Sequence, residues 1–287
     1  LLYSVSGMDK PTAGEVTLGD KNIATLNDNE LSEVRLKYMG FIFQQMHMLK
    51  NLSVIDNAER MIRKQVPGFR VENAPHDDPN VFSMIMSGAT EGVFQFESEG
   101  MRSVLMRLKP VDIEDLIAVI SLYRPGPMDS IPTFIANRHN PANISYKHPM
   151  LEKILNVTNG CIVYQEQVMQ IFRTLAGYSL GRADIVRRAM SKKKHDVMAK
   201  EREAFVYGQK DEQGNIIIKG CVNNGVDEKA AQKIFDEMSA FSSYAFNKSH
   251  AAAYSFVSYQ TAYLKCHYPK EYMAALMTSM QDDTDKI

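Results

Sequence analysis

The chain has 287 residues, of which 45% are hydrophobic and 23% charged, and its formal net charge is −1. These values are typical of a soluble globular protein with one large or two modest domains. They show no overall basic excess of the kind that would indicate a nucleic-acid partner.

The cysteines are sparse and far apart, at Cys161, Cys221 and Cys266, and they form no Cys-x-x-Cys pair. This spacing argues against a disulfide framework and a structural zinc site, and it favours a reducing cytoplasm. No apolar run approaches the roughly 18 residues that a membrane-spanning helix needs, so no membrane partner is expected. The chain opens at Leu1 with neither an initiator Met nor a leader, which predicts an internal piece of a longer protein.

The first fifty residues alternate short strand-like runs with turns. Strands are predicted at Glu15–Leu18 and Tyr38–Phe43, because glycine and proline residues flank these runs. A short helix is predicted between them, from about Asp28 to Lys37, with Asn27 or Asp28 as its N-cap. This part of the chain is therefore expected to be a short, incomplete α/β fragment.

After residue 55 the apolar residues recur every three or four positions, which predicts a mostly α fold. The clearest predicted helices are Asp112–Leu122, Gln165–Leu175, Ala230–Met238 and Ala251–Leu264. Short extended pieces are predicted at Gly92–Phe96, Cys161–Val163 and Ile216–Ile218, and a long loop at Ala136–Lys147.

Two motifs near the start resemble the nucleotide-binding subunit of an ABC transporter: Gly7–Val16 (GMDKPTAGEV) and Gly40–Gln44 (GFIFQ). The resemblance covers residues 1–50 and corresponds to the part after the phosphate loop, through the loop that carries Gln44. The sequence contains no Gly-x-x-x-x-Gly-Lys-Ser/Thr phosphate loop, so we expect no ATPase activity. A string like Leu49–Asn57 also occurs in the family that the rest of the chain resembles, which is described next. We therefore interpret the chain as a chimera joined there, either by recombination or by an error of sequence assembly.

Five motifs follow one another in the remainder of the chain: Gly92–Met101 (GVFQFESEGM), Tyr123–Pro127 (YRPGP), Tyr164–Met169 (YQEQVM), Gly181–Met190 (GRADIVRRAM) and Phe246–Tyr254 (FNKSHAAAY). In this order they resemble the alpha subunit of bacterial DNA polymerase III, a C-family replicative polymerase. The resemblance covers residues 51–287 and implies the edge of the palm and the helical fingers, which close on the incoming nucleotide.

A basic run lies between Arg182 and Arg202, with eight Lys or Arg residues against three acids. It is interpreted either as a site for polyanions or as an ordinary solvated helix face. Arg187 and Arg188 are adjacent on a predicted helix and so point about 100° apart. We expect one guanidinium to face a triphosphate and the other to meet a DNA phosphate or a carboxylate.

A second candidate site is the run Tyr244–His250. Ser249 is expected to cap the following helix, whose first N–H groups attract anions. Tyr244 either offers a ring to a base or sugar or belongs to the core, whereas Phe246 is interpreted as a core residue. His250 and Tyr254 share one helix face, either for function or as a structural contact.

The prolines of the YRPGP motif prevent Arg124 from continuing the preceding helix and hold it on a rigid corner. This is suited to a fixed phosphate or carboxylate, but helix termination alone also explains the prolines. Gln165 and Gln167 are interpreted as lining a DNA or nucleotide channel. Glu166, beside them, is equally explained by the chemistry of a helix start.

Polymerases add nucleotides with two divalent metals about 4 Å apart, held by carboxylates on a rigid sheet. The resemblance implies a Pro-x-x-Asp-x-Asp palm motif, which this sequence lacks, and a third carboxylate at the position of Gln45. No acidic residue occurs between Glu33 and Asp56. We therefore predict no catalytic residue, no bound metal and no polymerase activity in this chain, although the intact family enzyme uses Mg²⁺.

The resemblance thus implies a cytoplasmic piece of a DNA-directed DNA polymerase that binds deoxynucleoside triphosphates and template–primer DNA. Contacts with other replicase subunits and with the sliding clamp are expected through regions outside this chain. The alternative is a non-catalytic helical module that binds nucleic acid or phosphate. The predicted site residues are Arg124, Gln165, Arg187, Arg188, Lys192, Tyr244, Asn247, Lys248 and His250.

Overall fold

The computed structural model describes residues 11, 13–19, 21–38, 53–191, 195–242 and 246–280. The chain divides into two compact units, Leu1–Asn51 and Leu52–Ile287. The break lies beside the change of sequence pattern near residue 50.

The first unit contains a two-stranded antiparallel hairpin, a helix and a small core of its own. Strands β1 (Thr17–Leu18) and β2 (Lys21–Asn22) pair, and a 3₁₀ turn (Ile23–Thr25) leads to helix α1 (Asp28–Tyr38). The core is formed by Ile23, Leu31 and Val34.

Asn27 begins α1, because its Oδ1 accepts the N–H groups of Asn29 and Glu30, both at 3.0 Å. The predicted helix and its cap are therefore confirmed. The predicted strand Tyr38–Phe43 is wrong at its first residue, since Tyr38 ends the helix, and residues 39–43 lie outside the described part of the chain.

The second unit is mostly helical, which confirms the predicted fold class. Its α-helices are α2 (Val54–Ile62), α3 (Pro79–Met86), α4 (Glu99–Leu108), α5 (Ile113–Leu122), α6 (Ile131–His139), α7 (Glu152–Leu155), α8 (Gln165–Ala176), α9 (Leu180–Ser191), α10 (His195–Tyr207), α11 (Glu228–Ser242), α12 (Lys248–His267) and α13 (Pro269–Ser279). Short 3₁₀ helices lie at Val71–Asn73, Pro127–Ser130, Pro141–Asn143, Pro149–Leu151, Asn156–Thr158 and Val222–Asn224. Strands β3 (Gln209–Lys210) and β4 (Ile216–Ile218) form an antiparallel hairpin.

Local capping sets where several of these helices begin. A side-chain oxygen of Ser53, Asp78, Ser98 or Asp112 accepts an N–H group from the first turn of α2, α3, α4 and α5, respectively. These residues satisfy donors that a helix start would otherwise leave unpaired. The predicted helix Asp112–Leu122 is confirmed on this basis.

Two loop and strand predictions are corrected. Helix α6 continues to His139, so the irregular stretch predicted from Ala136 begins only after it. The segment Gly92–Phe96 forms successive turns instead of an extended piece, and Gln95 within it adopts φ +65°. The predicted extended run Ile216–Ile218 is confirmed as β4.

The second unit contains two hydrophobic cores that meet at one extended segment, Cys161–Tyr164. The first core is built from α3 to α6 and α12, and the second from α7 to α11. Val163 and Tyr164 belong to the first core, whereas Ile162 belongs to the second. Because side chains alternate along an extended chain, this segment packs into both cores at once.

The side-chain amide of Gln167 holds the segment Cys161–Tyr164 in place through hydrogen bonds. Gln167 is 4% exposed, and its Oε1 accepts the N–H groups of Val163 (2.8 Å) and Tyr164 (2.9 Å). Its Nε2 donates to the Ile154 carbonyl (3.2 Å) and to Oγ1 of Thr158 (2.7 Å). All four hydrogen-bonding positions of the amide are therefore satisfied inside the protein. The interpretation of Gln167 as a channel-lining residue is wrong, because its side chain is buried.

Replacing Gln167 with leucine is expected to lower the free energy of unfolding by about 2–4 kcal/mol, because the buried N–H groups of Val163 and Tyr164 lose their acceptor. The measurement is urea unfolding followed by circular dichroism. Gln170→Leu is the matched control, since Gln170 is exposed on the same helix, and a change within about 0.5 kcal/mol is expected. Equal effects of the two substitutions would contradict this account.

Candidate functional site

An open pocket of about 590 Å³ lies on the first core. Its walls come from the turns after Gly92, the end of α5 and the first turns of α12. The polar and aromatic side chains that line it include Phe94, Gln95, Glu97, Arg124, Phe246, His250 and Tyr254.

Arg124 reaches this pocket from the corner that follows α5. The helix ends at Leu122, two residues before Arg124, as expected for a chain that approaches Pro125. Gly126 adopts φ +96°, a conformation that favours glycine. The predicted helix end is thus confirmed. The Arg124 guanidinium carbon lies 4.3 Å from the centroid of the Phe246 ring, which is a cation–π contact.

Aromatic rings form a continuous wall beside this guanidinium. Ring centroids are separated by 5.3 Å between Phe246 and His250, by 4.4 Å between His250 and Tyr254, and by 5.4 Å between Tyr254 and Phe94. The predicted contact between His250 and Tyr254 is therefore confirmed. Phe246 is half-buried and packs against the first core, while its ring also faces the pocket. The wall offers both ring faces and an imidazole to a ligand.

Helix α12 begins one residue after Asn247, which is its N-cap. The Asn247 Oδ1 accepts the N–H of His250 at 3.0 Å, and its backbone is extended. The prediction that Ser249 caps this helix is wrong, because Ser249 already lies in the first turn. Asparagine and serine cap helices about equally well, so the sequence alone did not separate them.

Two carboxylates contact the start of α12. Glu166 accepts hydrogen bonds from the Asn247 side-chain amide (Nδ2 to Oε1, 2.9 Å) and from the backbone N–H of Lys248 (3.2 Å to Oε2). The Nζ of Lys248 lies 2.8 Å from Oε2 of Glu114 and 5.4 Å from the centroid of the Tyr164 ring. The Lys248 charge is therefore balanced by Glu114.

Gln165 connects to the same region through its backbone. It is the first residue of α8, and its N–H donates to the Phe246 carbonyl at 2.9 Å, next to an isolated parallel bridge between Tyr164 and Phe246. The two motifs that contain these residues, far apart in sequence, thus lie side by side.

Arg187 and Arg188 lie on α9 and do not line the pocket. Both contact the carboxylate of Asp184, each at 2.8 Å, but the Arg187 side chain is 15% exposed and the Arg188 side chain 68%. The hydrogen bond from Arg187 is the largest influence on the pKa of Asp184 and lowers it; burial opposes this, and Arg188 adds to the lowering. Of the two guanidiniums, that of Arg188 is the more accessible.

Two further arginines of the basic run are also paired with acids. Arg182 contacts the buried carboxylate of Glu201, and Arg202 forms two hydrogen bonds, at 3.0 and 3.1 Å, with Asp236. Lys192, in the same run, and Tyr244 lie outside the described residues.

Within the described ranges, no group of three or more His, Cys, Asp or Glu residues is arranged to hold a metal ion. The residues that are described therefore do not provide a ligand set for the magnesium of the resembled family. None of the described helices is both long and apolar enough to cross a membrane.

Residues 51–213 match the family model of the bacterial DNA polymerase III alpha subunit finger domain. The chain belongs to this family. It is 46% identical over 252 residues to DNA polymerase III subunit alpha of Borreliella burgdorferi, an alignment that covers 88% of this chain and 21% of the relative. It is 49% identical over 240 residues to the Chlamydia trachomatis subunit (83% and 18%) and 46% identical over 256 residues to that of Thermus aquaticus (87% and 20%). The chain spans about a fifth of the length of these curated polymerase relatives.

The comparisons do not support an ABC transporter origin for residues 1–50. The alignment with the DNA polymerase III alpha subunit of Halalkalibacterium halodurans covers 96% of the chain at 41% identity. An alignment of that extent must include most of the residues before residue 51. The polymerase family thus accounts for part of the segment that was expected to be foreign.

The sequence reasoning missed two residues at this site of the polymerase chain. Gln95 lines the pocket in a left-handed backbone conformation, and Glu166 binds the start of α12. Gln95 lies in the GVFQFESEGM motif, so the family resemblance itself pointed to it. Glu166 lies in the YQEQVM motif, but its role did not follow from the motif, because its partners lie 81 and 82 residues away in the sequence.

Arg187→Ala is expected to lower the free energy of unfolding by about 1–2 kcal/mol, because it removes a mostly buried hydrogen-bonded ion pair. Arg188→Ala removes an exposed contact to the same carboxylate and is expected to cost less than about 0.5 kcal/mol. Thermal and urea unfolding of the two variants provide the comparison. A larger loss for Arg188→Ala than for Arg187→Ala would refute this ranking.

Proposed function

We propose that this chain is the part of a DNA-directed DNA polymerase that binds the incoming deoxynucleoside triphosphate and the template–primer. The observation that carries the proposal is the pocket in which the Arg124 guanidinium and the His250 imidazole share one aromatic wall. The membership of the polymerase III alpha finger family supports the same function.

The chemistry of the pocket fits a nucleotide in three ways. A guanidinium binds phosphate oxygens through a planar set of donors. The rings of Phe246 and Tyr254 offer faces on which a base or sugar can stack. Gln95 adds an exposed amide at the pocket edge, in a strained backbone conformation of the kind that is common at functional sites.

The remaining site residues are proposed for neighbouring contacts. Arg188, and Lys192 outside the described residues, are proposed to meet DNA or triphosphate oxygens, with Arg187 holding Asp184 beside them. Gln165, Tyr244, Asn247, Lys248 and His250 are proposed to bind the nucleotide or the primed DNA. Lys248 has to exchange Glu114 for a phosphate to do so.

We also propose that residues 51–287 form the palm edge and fingers of this enzyme, located in the cytoplasm of a bacterium. In the intact enzyme Mg²⁺ would supply the activation of the primer oxygen. The clamp and other replicase subunits are proposed to bind through regions outside this chain.

The 287-residue chain alone is predicted to give no templated synthesis in a primer-extension assay with Mg²⁺ and all four triphosphates, because the expected metal-binding aspartates are missing from its sequence. A relative's full alpha subunit serves as the active control. Magnesium-dependent extension of the primer by the purified chain would overturn this prediction.

A non-catalytic helical module that binds phosphate or nucleic acid is the alternative function. Both functions predict binding of primed DNA that weakens with salt. Only the polymerase function predicts that the triphosphate complementary to the template base strengthens this binding more than a mismatched one does.

Arg124→Ala is expected to weaken triphosphate-dependent binding of primed DNA about tenfold or more, because it removes the positive charge of the pocket. Fluorescence anisotropy of labelled primed DNA, with and without the complementary triphosphate, gives the measurement. Arg173→Ala is the matched control, since Arg173 is exposed on α8 and does not line the pocket. Equal binding by the wild type and by both variants would contradict the proposed role of the pocket.

A further inference from the structure

The aromatic wall of the pocket is held in place by contacts on the side that faces away from the pocket. Apart from Phe94, its residues lie at or just before the start of α12, and this start meets the beginning of α8 through the Tyr164–Phe246 bridge. The beginning of α8 is in turn fixed between the two cores by the buried Gln167 amide. The position of the wall therefore depends on how firmly the two helix starts hold each other.

Glu166 supplies the side-chain hydrogen bonds between the start of α8 and the start of α12. One carboxylate oxygen accepts the Asn247 amide at 2.9 Å, and the other accepts the Lys248 N–H at 3.2 Å. Both acceptors of one half-buried side chain thus bind two consecutive residues, the N-cap and the first residue of α12. Charged acceptors form stronger hydrogen bonds than neutral ones, and a negative charge near a helix N-terminus is favourable.

The two partners of Glu166 lead directly to the pocket. Asn247 follows Phe246, whose ring lies under the Arg124 guanidinium, and Asn247 also accepts the N–H of His250. A change at Glu166 is therefore transmitted to both ends of the ring contact between Phe246 and His250, whose centroids are 5.3 Å apart. Glu166 itself does not line the pocket.

We propose that Glu166 is a positioning residue for the nucleotide pocket, which fixes Phe246 and His250 through Asn247 and Lys248. The role in nucleotide binding rests on the proposed function, because it requires that the pocket binds a nucleotide. The attachment of α12 by Glu166 is a property of the protein with or without a ligand.

Glu114 provides a matched control within the same region. It also contacts Lys248, but only at the ammonium group, and its side chain is 56% exposed. An exposed ion pair of this kind contributes little to structure. Replacing Glu114 with glutamine should therefore leave the start of α12 in place, although it removes a carboxylate from the same lysine.

Hydrogen–deuterium exchange on the 287-residue chain tests the attachment. Glu166→Ala should increase the exchange rate of the amides of residues 247–254 by at least fivefold, whereas Glu114→Gln should leave it within twofold. Glu166→Gln should also raise it, because the introduced NH₂ faces the donor NH₂ of Asn247.

Adding Asn247→Asp to Glu166→Gln should restore the protection. The introduced amide can then donate to the introduced carboxylate and still accept the Lys248 N–H, while aspartate continues to cap the helix. A purely structural loss at residue 166 would not be rescued by this exchange of donor and acceptor. Unchanged exchange in Glu166→Ala, or no rescue in the double variant, would overturn the proposal.

Binding of the complementary triphosphate to the chain with primed DNA provides the second readout. Glu166→Ala should weaken it about fivefold to tenfold, whereas Glu114→Gln should leave it within twofold. If Glu166→Ala raises the exchange rate but binds the complementary triphosphate as tightly as the wild type does, the positioning role for the nucleotide is refuted. If the wild type binds neither triphosphate nor DNA, the proposed function fails, while the exchange data still decide whether Glu166 fixes α12.

Discussion

The four hydrogen bonds of the buried Gln167 amide hold the segment on which both cores of the second unit depend. This segment is extended, so the N–H groups of Val163 and Tyr164 have no helical carbonyl to bind. Oε1 of Gln167 accepts them instead. Because Ile162 faces one core and Val163 the other, a displaced segment would disturb both cores together. The first turn of α8 is fixed by the same contacts. It therefore gives the start of α12 a stable surface to bind.

Carboxylates accompany several of the cations that the sequence suggested for ligand binding. Asp184 forms ion pairs with Arg187 and Arg188. Glu201 pairs with Arg182, and Glu114 pairs with Lys248. The charges of these four cations are therefore offset locally. Arg124 differs, because its observed close contact is with the Phe246 ring. A ligand at that pocket would therefore meet a cation that is held by a weaker partner than a carboxylate.

Short-range chemistry allowed much of the fold to be predicted, whereas long-range contacts did not. Asn27 was one of two residues predicted to begin α1, because a capping residue binds N–H groups within three positions, and α5 was predicted from its apolar periodicity. The cap of α12 was assigned to Ser249 in error, since two good capping residues lie close together. At the site, Arg124 and the His250–Tyr254 pair followed from motifs and helical spacing. The role of Glu166 did not follow, because nothing near it in the sequence indicates a partner more than eighty residues away.

The contact between the two helix starts also has a consequence for the order of folding. Glu166 and Asn247 are separated by 81 residues, and all of α9, α10 and α11 lie between them. Closing a loop of this length costs chain entropy before any contact is gained, so such contacts tend to form late. During synthesis, Arg124 emerges well before the rings that will face it. The pocket is therefore completed only after the second core has brought the distant end of the chain back to α8.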